Sequence, residues 1–302
     1  MIITKIQGGL GNQMFQYAVG RNLAIKNDTE LKFDNSFFNT ISADTPRIFV
    51  LDKFNISGNI ISDNELKKIK RSNLQGRSLS KRVISKILKI TEAIKPIRFR
   101  RFVGFGDIIF HPEVLQIKTK KTVYLAGNWP THKYFKEINS IIQNDFSLKN
   151  DLSNQAKLIL NKIKNTEAVS IHIRRGDYIL NNKTSSLHGG ICTLDYYEQA
   201  IKIIEQKTNN PEFFIFSDDI EWVKENLKIN HPVTYVSGNG IPDYEELVLM
   251  SHCQHNIIAN STFSWWGAWL NQNPNKIVIA PEKWFNSDTD IRDLIPETWI
   301  KL

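Results

Sequence analysis

The sequence predicts an α/β protein of two domains, each built on a parallel sheet. Short apolar runs alternate with amphipathic segments, an order typical of strands joined by crossover helices. The chain has 302 residues, enough for two domains of roughly 150 residues each. A glycine-rich loop follows the first apolar run, and polar clusters follow several later ones. Such loops, at the carboxyl ends of strands, are where open α/β sheets bind ligands.

The first half of the chain begins with a predicted βα unit. Residues 2–6 are predicted as a strand, and the loop QGGLGNQ at 7–13 leads into a helix. Met14 stands where the dinucleotide fingerprint GxGxxG has its third small residue, and no Walker sequence GxxxxGK[ST] is present. The loop therefore favours neutral hydrogen bonds to sugar hydroxyls or phosphate. Asn12 and Gln13 are expected to give them, and Gly11 permits close approach of the backbone to the ligand.

The periodic pattern places a domain boundary near residue 150. Before it, strands are predicted at 31–34 and 123–127 within a largely irregular region. After residue 152 the alternation is regular, which predicts domains at 1–150 and 151–302. Strands are predicted there at 168–171, 212–216, 233–236, 256–259 and 276–280, and helices at 195–207, 220–227, 243–253 and from about 260.

The composition indicates the cellular compartment of the protein. The two cysteines, Cys192 and Cys253, lie far apart without CxxC spacing, so we expect a reducing compartment and no zinc site. No apolar run approaches the roughly 20 residues needed to cross a bilayer. The first six residues lack the charged and apolar regions of a signal peptide. We therefore expect a cytoplasmic protein.

The formal net charge of +8 is concentrated in one segment. Residues 67–101 carry 13 Lys or Arg against a single acidic residue, Glu92. Apolar residues at helical spacing predict a basic helical insertion at about 65–101. Its basic side is a solvated face, a contact with an anionic membrane, or a contact with nucleic acid. The helix lacks the interleaved aromatic residues that base stacking uses.

The most informative motif, HIRRGDY, directly follows the strand predicted at 168–171. Arg174 and Arg175 present planar guanidinium groups that match the oxygens of phosphate or carboxylate, so we expect an anion there. Gly176 permits a turn with positive φ, and Asp177 can orient an arginine or cap the segment after it. A purely structural Arg–Asp turn is the alternative interpretation.

Two more polar loops follow predicted strands, at 217–219 and 260–264. Because the carboxyl ends of parallel strands share one edge of a sheet, these loops and the arginine motif should line one crevice. Ser261 and Thr262 begin a helix, where they either hold a phosphate or serve as an ordinary cap. Asp218 and Asp219 suit three roles: metal ligands, acceptors for the N1 and N2 donors of guanine, or helix caps.

Four motifs together resemble the bacterial α-1,2-fucosyltransferases of glycosyltransferase family 11. They are GGLGNQMFQY at 8–17, HIRRGDY at 172–178, FIFSDD at 214–219 and NSTFSWWGAWL at 260–270, and the resemblance spans nearly the whole chain. It implies a GT-B-type fold, with two Rossmann-like domains whose parallel sheets face a central cleft. The first domain would bind the acceptor and the second GDP-L-fucose. The reaction implied is the inverting, metal-independent transfer of fucose from GDP-β-L-fucose to O2 of a terminal β-galactoside, in the synthesis of O-antigen, capsule or another glycan.

The resemblance also implies roles for individual residues. Arg174 would bind the diphosphate, His172 the guanosine or diphosphate, and Asn12 would approach the fucose and diphosphate. Asp218 or Asp219 would bind guanine. The remaining expected binding residues are Ser261, Thr262 and Phe263 for the phosphates, with Arg175 and Asp177 as ligand contacts or braces for Arg174. Independently of the resemblance, sugar transfer builds negative charge on the leaving phosphate, which a fixed arginine stabilises.

Several alternatives stay open at the level of sequence. No spacing selects a general base among Asp177, His188 and Glu245. A metal-dependent GT-A-like transferase would use the paired aspartates, a nucleic-acid or membrane-surface binder would use the basic segment, and a dinucleotide oxidoreductase would use the glycine-rich start. We expect residues 30–135 to select the acceptor. A lipid-linked oligosaccharide would suit an enzyme that the basic helix holds peripherally at the inner membrane face.

Overall fold

The computed structural model describes residues 1–39, 47–71, 95–118, 120–176 and 182–302. The chain forms two compact units, the first running to Ser147 and the second from Leu148 to Leu302. Of the predicted basic insertion, residues 72–94 lie outside the described part of the chain, as does Asp177. None of the described helices is long and apolar enough to cross a membrane.

The first unit is built on a parallel five-stranded sheet in the order β3-β2-β1-β5-β4. Its central strand β1 is covered on both faces, and Ile2 and Ile3 are completely buried. The strands are β1 (Ile2–Lys5), β2 (Leu31–Asp34), β3 (Asn59–Ile60), β4 (Phe102–Val103) and β5 (Val123–Leu125). The helices are α1 (Leu10–Lys26), α2 (Asp63–Arg71) and α3 (Asn139–Asp145).

The second unit has a parallel six-stranded sheet in the order β11-β10-β9-β6-β7-β8. Its strands are β6 (Glu167–Ile173), β7 (Pro211–Ser217), β8 (Val233–Tyr235), β9 (His255–Ile257), β10 (Val278–Ala280) and β11 (Ile300–Lys301). Its helices are α4 (Asn154–Lys164), α5 (Asn182–His188), α6 (Leu194–Glu205), α7 (Ile220–Asn226), α8 (Asp243–His252) and α9 (Thr262–Leu270). Two all-parallel sheets confirm the predicted α/β class.

Strands β6 and β7 form the longest pairing in this sheet, and their alternation defines its two faces. Ile171 and Ile215 are partners that face one apolar cluster, packed under α6. Phe214 and Phe216 face the other cluster, packed under α4 and α8. Side chains on one strand alternate between faces, so His172, the partner of Phe216, shares the second face. The buried faces explain why both strands read as continuous apolar runs.

The structure extends β6 beyond its predicted end. The run expected to stop at residue 171 continues through His172 and Ile173, because both residues remain in register with β7. His172 is therefore a buried strand residue rather than part of the following loop. The short edge strands β3, β4 and β11 have no clear sequence signal, since each spans only two residues.

Candidate functional site

The two arginines after β6 pair with the two aspartates after β7. The Nε atom of Arg174 lies 3.1 Å from Oδ2 of Asp218, and the Nε atom of Arg175 lies 3.1 Å from Oδ2 of Asp219. All four side chains are partly exposed, so the charges lie at the surface of the carboxyl edge. The register between β6 and β7 brings these loops together despite more than 40 intervening residues.

Asp218 also fastens the backbone of the arginine loop. Its Oδ1 atom accepts hydrogen bonds from the backbone N–H groups of Arg175, at 2.8 Å, and Gly176, at 3.0 Å. Gly176 does not adopt positive φ, contrary to the role expected for it. A Cβ atom there would lie 3.0 Å from Asp218 Oδ2, so glycine serves the close approach of the carboxylate.

Arg175 is held on two sides. Besides its ion pair with Asp219, its guanidinium lies 3.9 Å from the ring centroid of Trp222, a cation–π geometry. Asp219 in turn caps α7, because its Oδ1 accepts from the backbone N–H of Trp222 at 3.4 Å. These contacts describe a brace. Trp222 was not among the residues predicted from sequence, since a tryptophan on a short helix carries no motif.

His172 connects the arginine loop with the start of α9. Its side chain is buried, and its ring centroid lies 5.5 Å from that of Phe263. Burial, aided by the charge of Arg174, lowers the pKa of His172 to about 3, so the imidazole is neutral near pH 7. Its Nδ1 atom has no hydrogen-bond partner among the described residues. A buried imidazole nitrogen without a partner is costly, which marks it as a candidate ligand contact.

The loop before α9 combines structural ties with a helix N-terminus. Asn260 is buried, and its amide donates to the carbonyls of His188 and Trp284, each at 3.1 Å. Ser261 caps the helix by accepting from the backbone N–H of Phe263 at 3.3 Å. Because β9 is the direct neighbour of β6, this helix N-terminus lies at the same sheet edge as His172. Backbone N–H groups at such an end attract anions.

A further carboxyl group at this edge was missed by sequence reasoning. The backbone N–H of Ser217 donates to Ser237 Oγ at 3.0 Å, and Ser237 is hydrogen-bonded to Glu246. Burial raises the pKa of Glu246 to about 7. Glu246 lies in the first turn of α8, where acidic residues are common, so nothing in the sequence distinguished it.

The three groups considered as a general base differ in their surroundings. Asp177 lies outside the described residues. Both carboxylate oxygens of Glu245 accept from the backbone N–H of Ser153, and Oε2 also accepts from the Ser153 hydroxyl at 2.6 Å. Glu245 thus anchors the start of α4. The Nδ1 atom of His188 lies 3.4 Å from the carbonyl of Trp284.

The Gln13 side chain anchors the glycine-rich loop of the first unit through hydrogen bonds to backbone groups. This side chain is buried, donates to the carbonyls of Gly8, at 3.0 Å, and Ile48, at 2.8 Å, and accepts from the N–H of Val50 at 3.0 Å. Gly8 has φ of +79°, which glycine adopts without strain. Gln13 thus bonds to backbone groups, and its neighbour Asn12 is half-buried beside Gly8.

Comparison with known proteins assigns the chain to a family. The model for glycosyl transferase family 11 matches residues 1–302. The chain belongs to glycosyltransferase family 11. The protein is therefore an enzyme that transfers a sugar. This finding replaces the interpretations of the chain as a nucleic-acid binder or an oxidoreductase.

Two bacterial relatives match this family 11 enzyme along its length. An Escherichia coli alpha-1,2-colitosyltransferase is 33% identical over 307 residues, covering 100% of this chain and 99% of the relative. The E. coli O-antigen biosynthesis glycosyltransferase WbnK is 35% identical over 316 residues, covering 98% and 99%. Galactoside alpha-(1,2)-fucosyltransferase 2 of Sus scrofa is 26% identical over 155 residues, covering 49% of this chain and 45% of its own.

Two solved fucosyltransferase structures are similar to this chain. Arabidopsis thaliana FUT1 superposes with a TM-score of 0.53 at 10% identity, covering 95% of this chain and 72% of its own. Fucosyltransferase NodZ from Bradyrhizobium gives a TM-score of 0.51 at 11% identity, covering 88% and 91%. The likeness shows a GT-B fold, as the motif resemblance implied, and not the GT-A-like alternative.

Proposed function

We propose that this enzyme transfers L-fucose from GDP-β-L-fucose to O2 of a terminal β-galactoside, forming an α-1,2 linkage. The observation that carries the proposal is the convergence of three groups at one edge of the second sheet: the Arg174–Asp218 pair, the buried His172, and the N-terminus of α9. This set suits a sugar diphosphate. The names of the relatives, which include α-1,2-fucosyl and α-1,2-colitosyl transfer, support the linkage.

Charge development explains why this set of groups suits the chemistry. As the glycosidic bond to the donor breaks, the sugar gains oxocarbenium character and the β-phosphate gains negative charge. Arg174, aimed through its ion pair with Asp218, supplies a fixed positive charge for that phosphate. The N–H groups at the start of α9, beside Ser261 and Thr262, supply more. Two such elements can stabilise the leaving group without a metal ion.

His172 contributes a hydrogen bond rather than a charge. Because its pKa is about 3, the ring is neutral at physiological pH, and one nitrogen donates while the other accepts. In our proposal, the Nδ1 atom, which has no partner among the described residues, bonds to the guanosine or the diphosphate. Asn12 approaches the fucose and diphosphate from the glycine-rich loop, as neutral amides suit sugar hydroxyls.

Asp218 and Asp219, the two candidates for binding guanine, already accept hydrogen bonds from other groups of the protein. Asp218 Oδ2 faces Arg174, and its Oδ1 accepts two backbone N–H groups. Asp219 faces Arg175 and caps α7. A carboxylate has about four lone-pair sites, so Asp219, with fewer partners among the described residues, is the better candidate for guanine.

Colitosyl transfer is the second candidate, because the colitosyltransferase relative matches the entire chain. Colitose is L-fucose without its 3-hydroxyl group. A site that hydrogen-bonds a substrate hydroxyl discriminates strongly against an analogue lacking it, by about 10⁴ or more. Relative kcat/KM for GDP-fucose and GDP-colitose therefore decides between the two donors.

The deciding experiment uses the purified full-length enzyme with both donors and a panel of β-galactosides: lactose, Galβ1,3GalNAc and Galβ1,3GlcNAc. Product linkage is assigned by NMR. Fucosyl transfer to O2 of galactose with GDP-fucose preferred supports the proposal. Preference for GDP-colitose would make GDP-colitose the donor in place of GDP-fucose. A product linked elsewhere than at O2 would overturn the proposed α-1,2 linkage.

We further propose a lipid-linked oligosaccharide as the natural acceptor and an anionic membrane surface as a peripheral contact. The described end of the basic segment carries Lys95, Arg98, Arg100 and Arg101. Next to them Phe99 is 60% exposed, with the Arg98 guanidinium 4.9 Å from its ring centroid. Basic residues around an exposed aromatic ring suit the interface of an anionic bilayer.

A further inference from the structure

An aromatic cluster lies beyond the carboxyl ends of β4 and β5 in the first unit. The rings of Phe105 and His111 stack with centroids 3.7 Å apart and planes 10° apart. Trp129 meets Phe105 edge-on at 5.7 Å and Tyr134 edge-on at 5.3 Å. Asp107 Oδ1 lies 2.8 Å from His111 Nε2. We call Phe105, Asp107, His111 and Trp129 the aromatic platform.

The platform lies at the ligand-binding edge of its own sheet. β4 ends at Val103, two residues before Phe105, and β5 ends at Leu125, four residues before Trp129. β1, the neighbour of β5, ends at Lys5 and leads into the glycine-rich loop with Asn12. Parallel strands place their carboxyl ends at one edge. The platform and Asn12 therefore lie at the same edge of the first sheet.

Trp129 is held in a costly state. Its backbone has φ of +56°, a region that is strained for a bulky residue. Its side chain is 4% exposed, and its Nε1–H donor has no hydrogen-bond partner in the part of the chain that the structure describes. A Cβ atom at Gly127 would lie 3.2 Å from Nε1, so glycine leaves the space beside that donor free of a side chain. Strain and an unpaired donor are not needed for packing alone, and they concentrate at ligand sites.

The exposed parts of the platform combine apolar and polar groups. Phe105 and His111 are half-buried, and Asp107 and Asn128 are exposed. Galactopyranose carries only C–H groups over part of one face, which packs on aromatic rings, while its hydroxyls require acceptors and donors around the rim. Ring surfaces with a few polar groups at their edge are typical of small-ligand sites. Asp107, half-engaged by His111, offers the acceptor.

We propose that the aromatic platform binds the terminal galactose of the acceptor. Its sugar ring packs against the exposed side of the Phe105–His111 stack, Asp107 accepts from a hydroxyl, and the Trp129 N–H donates to another. This inference rests on the proposed function, since it takes a β-galactoside as the acceptor. It goes further by assigning acceptor recognition to four residues within the broad span 30–135.

The test measures acceptor binding separately from donor chemistry. Saturation-transfer NMR with methyl β-galactoside and no donor reports on the platform alone, and GDP binding by calorimetry reports on the nucleotide site. Steady-state transfer and GDP-fucose hydrolysis are measured for F105A, D107N and W129F. The control is L158A, which removes an exposed apolar side chain of α4, outside the platform and outside the proposed membrane contact.

Platform variants are expected to raise the acceptor KM at least about tenfold, as loss of a charged hydrogen bond or a ring contact predicts. GDP affinity and the rate of GDP-fucose hydrolysis should stay within about twofold, and L158A should match wild type. An unchanged acceptor KM in folded F105A and D107N, or equal losses in GDP binding, overturns the proposal. D107N guards against misfolding, because it changes an exposed group.

The two proposals fail in different ways. If galactoside binding depends on the platform but the enzyme does not use GDP-fucose, the platform proposal is supported and the proposed donor is rejected. If the enzyme transfers fucose to galactosides and its F105A and D107N variants are unaffected, the proposed function is supported and the platform proposal is rejected.

Discussion

The carboxylate of Asp218 lies 3.1 Å from the Nε atom of Arg174, and this contact sets the direction of the guanidinium at the carboxyl edge of the second sheet. The same carboxylate accepts the backbone N–H groups of Arg175 and Gly176. One side chain after β7 thus organises the loop that follows β6. The pairing also agrees with the interpretation of the motif as a structural Arg–Asp turn. The same residues can therefore brace the loop and bind an anion.

Replacing Arg174 with alanine should lower kcat/KM for sugar transfer at least ~10²-fold, about 2.7 kcal/mol, because a fixed charge is lost where the leaving phosphate becomes more negative. Steady-state kinetics on the purified variant measure this. R292A is the matched control, since Arg292 is an exposed arginine paired with Asp290. Near-wild-type turnover in folded R174A would refute the role.

Asp218 should act through Arg174. D218N keeps one oxygen for the backbone N–H groups but removes the charge that faces the guanidinium, so we expect at least about a tenfold loss in kcat/KM with modest loss of stability. D151N is the matched control, because Asp151 is an exposed carboxylate of the second unit that pairs with Lys157, and its kcat/KM should equal that of wild type. Equal activity losses in both variants would argue against a special role for Asp218.

Transfer should persist in excess EDTA. Arg174 and the N-terminus of α9 offer positive potential to the leaving diphosphate, which a divalent cation supplies in other transferases. The measurement is initial rate after dialysis against EDTA, with Mg²⁺ or Mn²⁺ added back. Complete loss restored by Mn²⁺ would assign Asp218 and Asp219 to a metal instead.

Glu246 should make the protein less stable as pH rises. Its folded-state pKa is raised to about 7, so between about pH 4.5 and 7 the native state binds more protons than the unfolded state, and stability falls across that window. E246Q removes this dependence and should gain up to about 3 kcal/mol over wild type on going from pH 5 to pH 8. Urea unfolding at several pH values tests it.

The comparison with E246Q isolates Glu246 from His172, which acts in the opposite direction. The His172 pKa is lowered to about 3, so stability associated with this ring is lost as pH falls below about 6.5. Both proteins share that loss. Parallel pH profiles for wild type and E246Q would show that Glu246 does not titrate as stated.

The enzyme should co-sediment with anionic vesicles and not with neutral ones, since each basic residue near an anionic surface contributes about 1 kcal/mol. The variant K95Q/R98Q/R100Q/R101Q should bind less tightly, and added salt should weaken the wild type. Equal binding to both kinds of vesicle would reject the contact. The matched control replaces four basic residues of the second unit: Lys157, Lys164, Lys202 and Lys207.

Local signals were sufficient for the elements whose residues determine their own structure. The strands β6 and β7 were predictable from their apolar runs, because a strand buried on both faces is rich in apolar residues. The arginine motif, and the serine and threonine at the start of α9, were recognisable for the same reason: each has a short spacing tied to a chemistry.

Tertiary structure decided which of these residues meet. The contact between His172 and Phe263, the bonds of Asp218 to the arginine loop, and the link from Ser217 to Glu246 join positions that are far apart in sequence. Strand order and register determine such contacts, and pairing between distant segments leaves no local pattern. The aromatic platform lies in the region without periodicity, where Trp129 owes its position to loop geometry. The sequence alone determined the fold class and predicted an anion-binding role for the arginine motif. Only the folded sheet showed which arginines, aspartates and glutamines brace the loops, because that role depends on neighbours that are distant in sequence.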